Sequence, residues 1–258
     1  MASLSVAVVT LNEEERIRAC LESVVWADEI VVVDSGSSDE TVQIAREFTD
    51  RVVFHPWAGY GAQKNFAAGQ CRGDWLLSLD ADERVSDALR EEIPSTLASE
   101  PRQVGFFVPR RNFFAGRWVR HGGWYPDHQL RLFRRGRGAF RPRVVHESVE
   151  VDGPTGRLSS PLIHESYRSV GDFVTRSNRY AELAASELAA AGRGGSGADL
   201  LLRPLWRFVS MYFLRAGFLD GWRGLILAVL YAHYVFLRAA KVRELRDPGP
   251  NTGGGDPR

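Results

Sequence analysis

The sequence predicts an α/β protein: a mainly parallel central sheet flanked by helices, followed by a helical C-terminal extension. Three observations point there. Over the first hundred residues short β-rich apolar runs alternate with amphipathic helical patterns, as successive βα units do. From Gly105 that alternation stops, and aromatic, arginine and glycine residues mix. Beyond a glycine-rich joint at Gly192 to Gly197, the stretch from Leu200 to Lys241 is strongly apolar yet studded with arginine.

Ser5 to Leu11 is the first apolar run and predicts a strand. Glu14 to Val25 follows as a helix, because Ile17, Cys20, Leu21 and Val24 recur at helical spacing and turn one face inward. Glu29 to Asp34 (EIVVVD) reads as a buried strand ending abruptly in SGSSDE, where Ser38 or Asp39 can cap a helix from Glu40 to Phe48. Arg51 to His55 is a third strand, and Gln63 to Cys71 a helix introduced by Gly59-Tyr60-Gly61. Trp75 to Leu79 is a fourth strand that runs into Asp80-Ala81-Asp82-Glu83. Gly105 to Pro109, Gln129 to Arg134 and Arg143 to Val151 read as further strands, with a loop from Gly116 to His128. A helix from about Ser169 to Ala191 closes the globular part. The expected divisions are a domain over 1–192, a flexible linker over 193–199, a helical module over 200–243 and a disordered Pro/Gly tail over 244–258.

Composition narrows the function classes. With 258 residues, 44% of them hydrophobic and 25% charged, disorder, collagen and coiled coil are excluded. A net charge of +1 argues against a dedicated nucleic-acid binder, so no nucleic-acid partner is expected. Cys20 and Cys71 are too few for a disulfide framework or a cysteine zinc site and predict a reducing compartment. Ser5 to Leu11 is short and Asn12-Glu13-Glu14-Glu15-Arg16 follows at once, so no export signal is expected there. Of the 33 basic residues only Lys64 and Lys241 are lysine, which draws attention to both.

The chemistry concentrates at strand ends. LLSLDADE is an apolar strand ending in Asp80 and Asp82, and two carboxylates at that spacing can hold a hard divalent cation against nucleotide phosphates. The bland alternative is a polar turn. VVVDSGSSDE leaves Asp34 at a second strand terminus, and VVTLNEEE places Thr10, Asn12 and Glu14 at a third. Ligands of open α/β sheets bind at those carboxyl ends. The glycine fingerprint of dinucleotide binders is absent after the first strand, and so is a Walker A loop.

VAVVTLNEEERIRACLESV, EIVVVDSGSSDETVQIA, GAQKNFAAGQCRGDWLLSLDADE and GGWYPDHQLRLF resemble a family 2 glycosyltransferase of the GT-A fold. QKN, LDADERVS, RHGGWYPD, VHESV and HESYRS are similar, more narrowly, to bacterial lipopolysaccharide-core β-glucosyltransferases. The resemblance covers about Ser3 to Tyr180 and is looser beyond. It implies that Thr10, Asn12 and Glu14 line the base and ribose of a nucleotide-sugar donor, that Asp34 hydrogen-bonds the base, and that Ser35 belongs to the same donor site. It implies that Asp80 approaches the ribose, that Asp82 binds Mg²⁺ or Mn²⁺ against the diphosphate, and that Lys64 faces the donor. A lysine suits phosphate as a compact point charge, whereas its plain alternative is a solvated helix residue.

Inverting transfer also needs a carboxylate to deprotonate the acceptor hydroxyl. Asp127 is the candidate, as the only acidic residue between Glu100 and Glu147; Glu147 is held in reserve. Many family 2 enzymes carry a Glu-Asp pair there, but Pro126 precedes Asp127 here. Trp124 and Tyr125 could stack on sugar rings, and Arg131 could face phosphate. His146 could complete the metal sphere opposite Asp82 or be an ordinary strand histidine, and His121 and His164 are weaker candidates. Arg110 to Arg143 contains ten arginines opposed only by Asp127, which suits a solvated face or an anionic acceptor.

In the C-terminal stretch, Gly224 to Leu237 is apolar but short for a membrane crossing. Aromatic anchors and basic flanks instead predict a peripheral position on the inner face of the cytoplasmic membrane; helices packed on protein are the alternative. The expected activity is metal-assisted, inverting hexosyl transfer from a nucleotide diphosphate sugar, UDP-linked, to a glycan or lipid-linked acceptor. Transfer to a polyprenyl phosphate, or a catalytically silent sugar-nucleotide-binding or membrane scaffold, are the rival readings. Oligomeric state is left open.

Overall fold

The computed structural model describes residues 2–141 and 148–247. Two compact units appear, one within Met1–Trp118 and Trp124–Ser166, the other within Val119–Gly123 and Tyr167–Arg258. In chain order the elements begin β1 (Leu4–Thr10), α1 (Ile17–Glu22), β2 (Glu29–Asp34), α2 (Thr41–Arg46), β3 (Val52–Phe54), α3 (Tyr60–Gln70), β4 (Trp75–Asp80), β5 (Glu83–Val85) and α4 (Asp87–Ala98). They continue β6 (Gly105–Phe114), β7 (Arg117–Trp118), β8 (Asp127–Arg134), β9 (Gly138–Phe140), β10 (Val149–Val151), β11 (Thr155–Arg157) and β12 (Leu162–Tyr167). Three long helices follow: α5 (Val170–Ala190), α6 (Gly197–Val209) and α7 (Trp222–Arg246).

The main sheet has the order β3-β2-β1-β4-β8-β6-β12-β5, with β7 and β11 paired to β6. β3, β2, β1 and β4 are parallel, and the register sets Thr10 beside Asp34 and Val9 beside Asp80. Three strand ends therefore open on one edge. β8 runs antiparallel to β4, so Asp127 at its start returns to the edge where β4 finishes. This is the α/β sheet the sequence predicts, with the direction change between β4 and β8.

Alternation along β1 explains the layers. Val6 and Val8 face one side with Val32, Leu77 and Leu79, against Ile17, Leu21, Leu89 and Ile93 of α1 and α4. Ala7 faces the other side with Val31, Val33 and Leu76, against Ala67 of α3 and Phe133 and Phe140. Trp75 is 1% exposed under Phe106, with the Arg134 guanidinium over its ring.

Several boundaries differ from expectation. The helix after β1 is only Ile17–Glu22, with turns filling the rest. β6 continues past Pro109 to Phe114, because Pro109 and Arg110 still pair with His128 and Asp127. The cap expected from Ser38 or Asp39 is not formed, since Glu40 is the N-cap of α2 and makes no side-chain cap bond; Asp39 accepts the Thr41 N–H at 3.1 Å in the turn that leads in. Of the strand expected over Arg143 to Val151, β10 is the described part; residues 142–147 lie outside the description.

The second unit is built from α5, α6 and α7, joined by a π-helical turn (Ser210–Leu214) and a 3₁₀ turn (Gly217–Asp220). Its helix α5 was expected in the first domain, but Phe173, Ala181, Ala184 and Ala185 are buried in the packing with α7, so the unit begins at Tyr167. Gly192, Gly194 and Gly195 all have positive φ, and Ser196 and Asp199 form a capping box that starts α6. α7 runs to Arg246, three residues past the expected end of the module, and residues 248–258 are outside the description.

Candidate functional site

At the β1 and β2 ends the polar side chains knit two loops together. Asn12, at φ 54°, accepts the Ser38 N–H at 2.9 Å, and its own N–H donates to Ser37 Oγ at 2.8 Å. Glu14 accepts the Glu40 N–H at 3.0 Å. Asp34 is buried and turns the SGSS loop, accepting the Gly36 and Ser37 N–H groups at 2.8 and 3.0 Å. Ser35 accepts from Gln63 Nε2 at 2.9 Å, and its N–H donates to the Thr10 carbonyl. The Thr10 hydroxyl is buried and has no hydrogen-bond partner among the described residues. Such an atom is costly unless something supplies a partner.

Asp80 closes β4 between two cations. Lys64 Nζ lies 2.8 Å from Oδ1, and Arg131 Nη2 lies 2.7 Å from Oδ2. Burial disfavours the charged carboxylate, but Lys64 and Arg131 outweigh it and hold Asp80 far below the usual range. The solvated alternative for Lys64 is wrong, because α3 lays its side chain across Asp80 and leaves the residue 3% exposed. Arg131, anticipated as a phosphate contact, instead turns inward: one nitrogen serves both Asp80 and Glu83, each at 2.7 Å.

Glu83 is the residue that sequence reasoning missed. It is fully buried, accepts from Arg131 and from Arg110 Nη1 at 3.0 Å, and takes the Asp80 N–H at 3.1 Å. Arg110 in turn donates to Asp127 Oδ2 through Nε at 2.9 Å and through Nη2. Asn112 and Gln129 add bonds to Asp127 at 3.2 and 2.7 Å. A continuous polar chain thus links the end of β4 to the start of β8. Burial alone would raise the Asp127 carboxyl, yet Arg110, Gln129 and Asn112 hold it below its ordinary value.

Asp82 faces a different partner. Its Oδ2 lies 3.6 Å from His164 Nε2 and 3.8 Å from Arg16 Nη1. Burial and the nearby Asp80 oppose its charge, while His164 and Arg16 favour it, and its carboxyl stays below the usual range. His164 arrives because β12 pairs with β5, setting His164 beside Glu83, and Asn112 Oδ1 fixes its Nδ1 at 2.7 Å. The sequence signal was the second His-Glu-Ser, at 164–166, which reads the same as the first at 146–148. His146 and Glu147 lie outside the described residues.

The donor set fits a divalent cation only in part. One carboxylate and one imidazole suit Mn²⁺ or Mg²⁺, and the imidazole carries the outer hydrogen bond that fixes metal-binding histidines. Among the described residues no three His, Cys, Asp or Glu side chains gather to hold a metal by themselves. A cation at this place would have Asp82 and His164 as its protein ligands.

The aromatic candidates are less open than anticipated. Trp124 is 7% exposed, which leaves little of its ring for a sugar, and its carbonyl accepts from Asn112. Tyr125 stands edge-on to Trp118, with ring centroids 5.2 Å apart, and precedes a cis proline. The arginine-rich stretch does not form one patch either. Arg134 and Arg135 donate to the carbonyls of Pro101 and Gly73, and Arg137 and Arg141 pair with Asp152 and Glu150.

Residues 5–151 match the model of Glycosyl transferase family 2. The chain is 35% identical over 251 residues to the lipopolysaccharide core biosynthesis glycosyltransferase LpsC of Rhizobium meliloti (strain 1021), covering 93% of this chain and 91% of that protein. It is 32% identical to an uncharacterized glycosyltransferase of Rickettsia typhi, covering 95% and 88%. Among solved structures it resembles the mannosyltransferase PcManGT of Pyrobaculum calidifontis in complex with GDP-Man and Mn²⁺. That likeness has a TM-score of 0.55 at 17% identity and covers 93% of this chain and 87% of the other.

Proposed function

Because the chain belongs to glycosyl transferase family 2, and is a glycosyltransferase on that ground, we propose that it performs inverting, metal-dependent hexosyl transfer from a UDP-sugar. The acceptor is a glycan or lipid-linked glycan of the lipopolysaccharide core, met on the cytoplasmic face of the membrane. The likeness to LpsC supports the acceptor class. The observation that carries the chemistry is the division of labour in Asp-Ala-Asp-Glu: Asp80 is held by Lys64 and Arg131, Asp82 faces His164, and Glu83 ties the group to Arg110 and Asp127.

Thr10, Asn12, Glu14, Asp34 and Ser35 line the edge where the nucleotide sits, and the unpartnered Thr10 hydroxyl is a group the donor can satisfy. Asp80 orients the ribose, and Lys64, shared with Asp80, places positive charge beside the phosphates. Asp82 and His164 would hold the divalent cation. Bound there, the cation supplies Lewis-acid neutralisation of the leaving diphosphate. Asp127 takes the proton of the acceptor hydroxyl as that oxygen bonds to the anomeric carbon and the bond to the diphosphate breaks on the opposite face. Arg110 keeps Asp127 ionised and aimed until then. Stabilisation counts only where charge grows in the transition state, which the Asp82 end provides for the departing group.

The test is thermal shift and transfer with UDP-, GDP-, CMP- and ADP-sugars, with and without Mn²⁺. A metal-dependent shift with a UDP-sugar, lost in Asp82→Asn, is expected. Wild-type transfer by a normally folded Asp82→Asn protein would overturn the metal role, and a shift with another nucleotide would overturn the donor.

A further inference from the structure

The second unit exposes an unusual amount of apolar side chain. On α6, Leu201, Leu202, Leu205 and Trp206 are 71%, 64%, 61% and 62% exposed. Their spacing puts them on one face of the helix. On α7, Trp222, Leu225, Val229 and Phe236 form an exposed stripe opposite the buried Leu227, Ala228, Val235 and Ala239. The two turns between the helices add exposed Phe213, Leu214, Phe218 and Leu219. Single exposed apolar residues need no explanation, but so many grouped on two helices and their connection mark an interaction surface.

Charge selects the occupant. Over the span from α6 to α7, residues 197–246, the chain carries eight basic side chains and three acidic ones, Asp199, Asp220 and Glu244. A second copy would bring two such basic surfaces together, whereas a surface of anionic headgroups complements them. On α6, Arg203 and Arg207 are exposed on one side of the apolar face; Arg203 has its Nε 2.6 Å from Asp199 Oδ1, and the Arg207 stem can lie along acyl chains while its guanidinium reaches phosphate. Trp206 and Trp222 are the residue type that settles at the membrane–water interface.

Geometry selects the mode. α7 is long and apolar enough to cross a membrane by length and composition. Its opposite face, however, is packed against α5, a helix that exposes Glu182 and Glu187 and whose Glu182 pairs with Lys241 of α7 at 2.9 Å. Crossing would carry those charges into hydrocarbon or strip α7 from its partner.

We propose that α6, the two short turns after it and α7 form an in-plane docking face for an anionic bilayer. Apolar side chains enter the acyl boundary and arginines sit at the phosphates. This deepens the membrane-face location proposed above and stands independently of the donor chemistry.

Co-sedimentation of the purified full chain with phosphatidylcholine vesicles, with and without phosphatidylglycerol, tests it. Binding to the anionic vesicles is expected to be about tenfold tighter or more and to weaken with salt. The combined variant Leu202→Ser, Trp206→Ser and Leu219→Ser alters exposed side chains only, so it should keep its circular dichroism and melting temperature while losing vesicle binding about tenfold or more. Three results would overturn the proposal: equal binding to both vesicle types, unchanged binding by the combined variant, or a wild-type dimer that the variant dissolves. Resistance of the native protein to alkaline carbonate extraction would replace in-plane docking with a span. Donor turnover on a soluble acceptor is followed in parallel: a variant that turns over donor but no longer sediments separates this face from the transferase site.

Discussion

Arg110 grips Asp127 with two nitrogens, Nε at 2.9 Å and Nη2 beside it, both on the same carboxylate oxygen. The carboxyl is thereby held below its ordinary value against the opposing effect of burial. Because the folded value is depressed, the pair contributes stability above the unfolded carboxyl value of about 3.9 and loses it as pH falls through the folded value. For catalysis, the acid limb of kcat/KM for wild type should lie below the usual carboxylate range. Arg110→Gln should move that limb upward, and Asp127→Asn should lower kcat about 10²-fold or more. A pH–rate profile of the three proteins checks it; an acid limb unmoved by Arg110→Gln would remove Asp127 as the titrating base.

Glu83 lies between Arg110 and Arg131 with no solvent exposure. Removing one partner of a buried ionic cluster leaves the others uncompensated, so Glu83→Ala should cost about 3–5 kcal/mol in a denaturant melt. Glu83→Gln keeps the shape and one acceptor. It should fold, retain donor affinity and lose kcat, because the link from Asp80 to Arg110 is weakened while the strand ends stay in place. A rise in donor KM with kcat unchanged would contradict this.

His164 stands beside Asp82 with its outer nitrogen bonded to Asn112. His164→Ala should weaken Mn²⁺ dependence by about 10–100-fold, and Asn112→Ala should do so to a smaller degree by releasing the ring. Titrating Mn²⁺ against donor turnover, after removal of metal by chelator, gives both values. Equal Mn²⁺ requirements in wild type and His164→Ala would point the metal elsewhere.

What could be read in the sequence was local. EIVVVD and WLLSLD announce buried parallel strands by composition, and their terminal carboxylates announce the ligand edge. The polar chain behind that edge could not be read the same way, because it depends on pairing between distant strands. His164 meets Asp82 only through the β12–β5 register, and Arg110 meets Asp127 only because β6 runs through Pro109 instead of stopping there. Arg131 has the same cause: it is the extra residue where the β6–β8 register shifts between Leu130 and Leu132, and there an ion pair absorbs a side chain whose type suggested an exposed phosphate contact. The α5 boundary failed on packing, since a helical pattern does not reveal which neighbour will cover its apolar face.

Both cysteines are buried thiols. Burial pushes Cys71 up to about 12 and Cys20 well above its usual value. Thiolate is the reactive form, so neither should react with a thiol reagent in the native protein at pH 8, and both should react once denaturant unfolds it. Counting thiols with and without denaturant distinguishes this from an exposed, reactive cysteine, and rapid native labelling would contradict the burial of Cys20 behind Asp80.

Gly224 marks the tightest approach in the helical unit. A Cβ placed there would lie 1.8 Å from the Gly217 carbonyl oxygen, a backbone atom that cannot swing aside as a flexible side chain would. Gly224 opens the first turn of α7, and Gly217 begins the 3₁₀ turn before it, so contact between them sets how closely the chain folds back after α6. Gly224→Ala should therefore destabilise this unit by about 1–3 kcal/mol despite the better helix propensity of alanine, which by itself would favour the variant by about 1 kcal/mol. Gly197→Ala is the control: nothing lies within 4 Å of a Cβ there, and the propensity gain should appear unopposed. Thermal melts of the two variants should move in opposite directions. Parallel upward shifts would mean that the Gly217 carbonyl yields to the added methyl group, and the close packing of the turn on α7 would then carry no stability of its own.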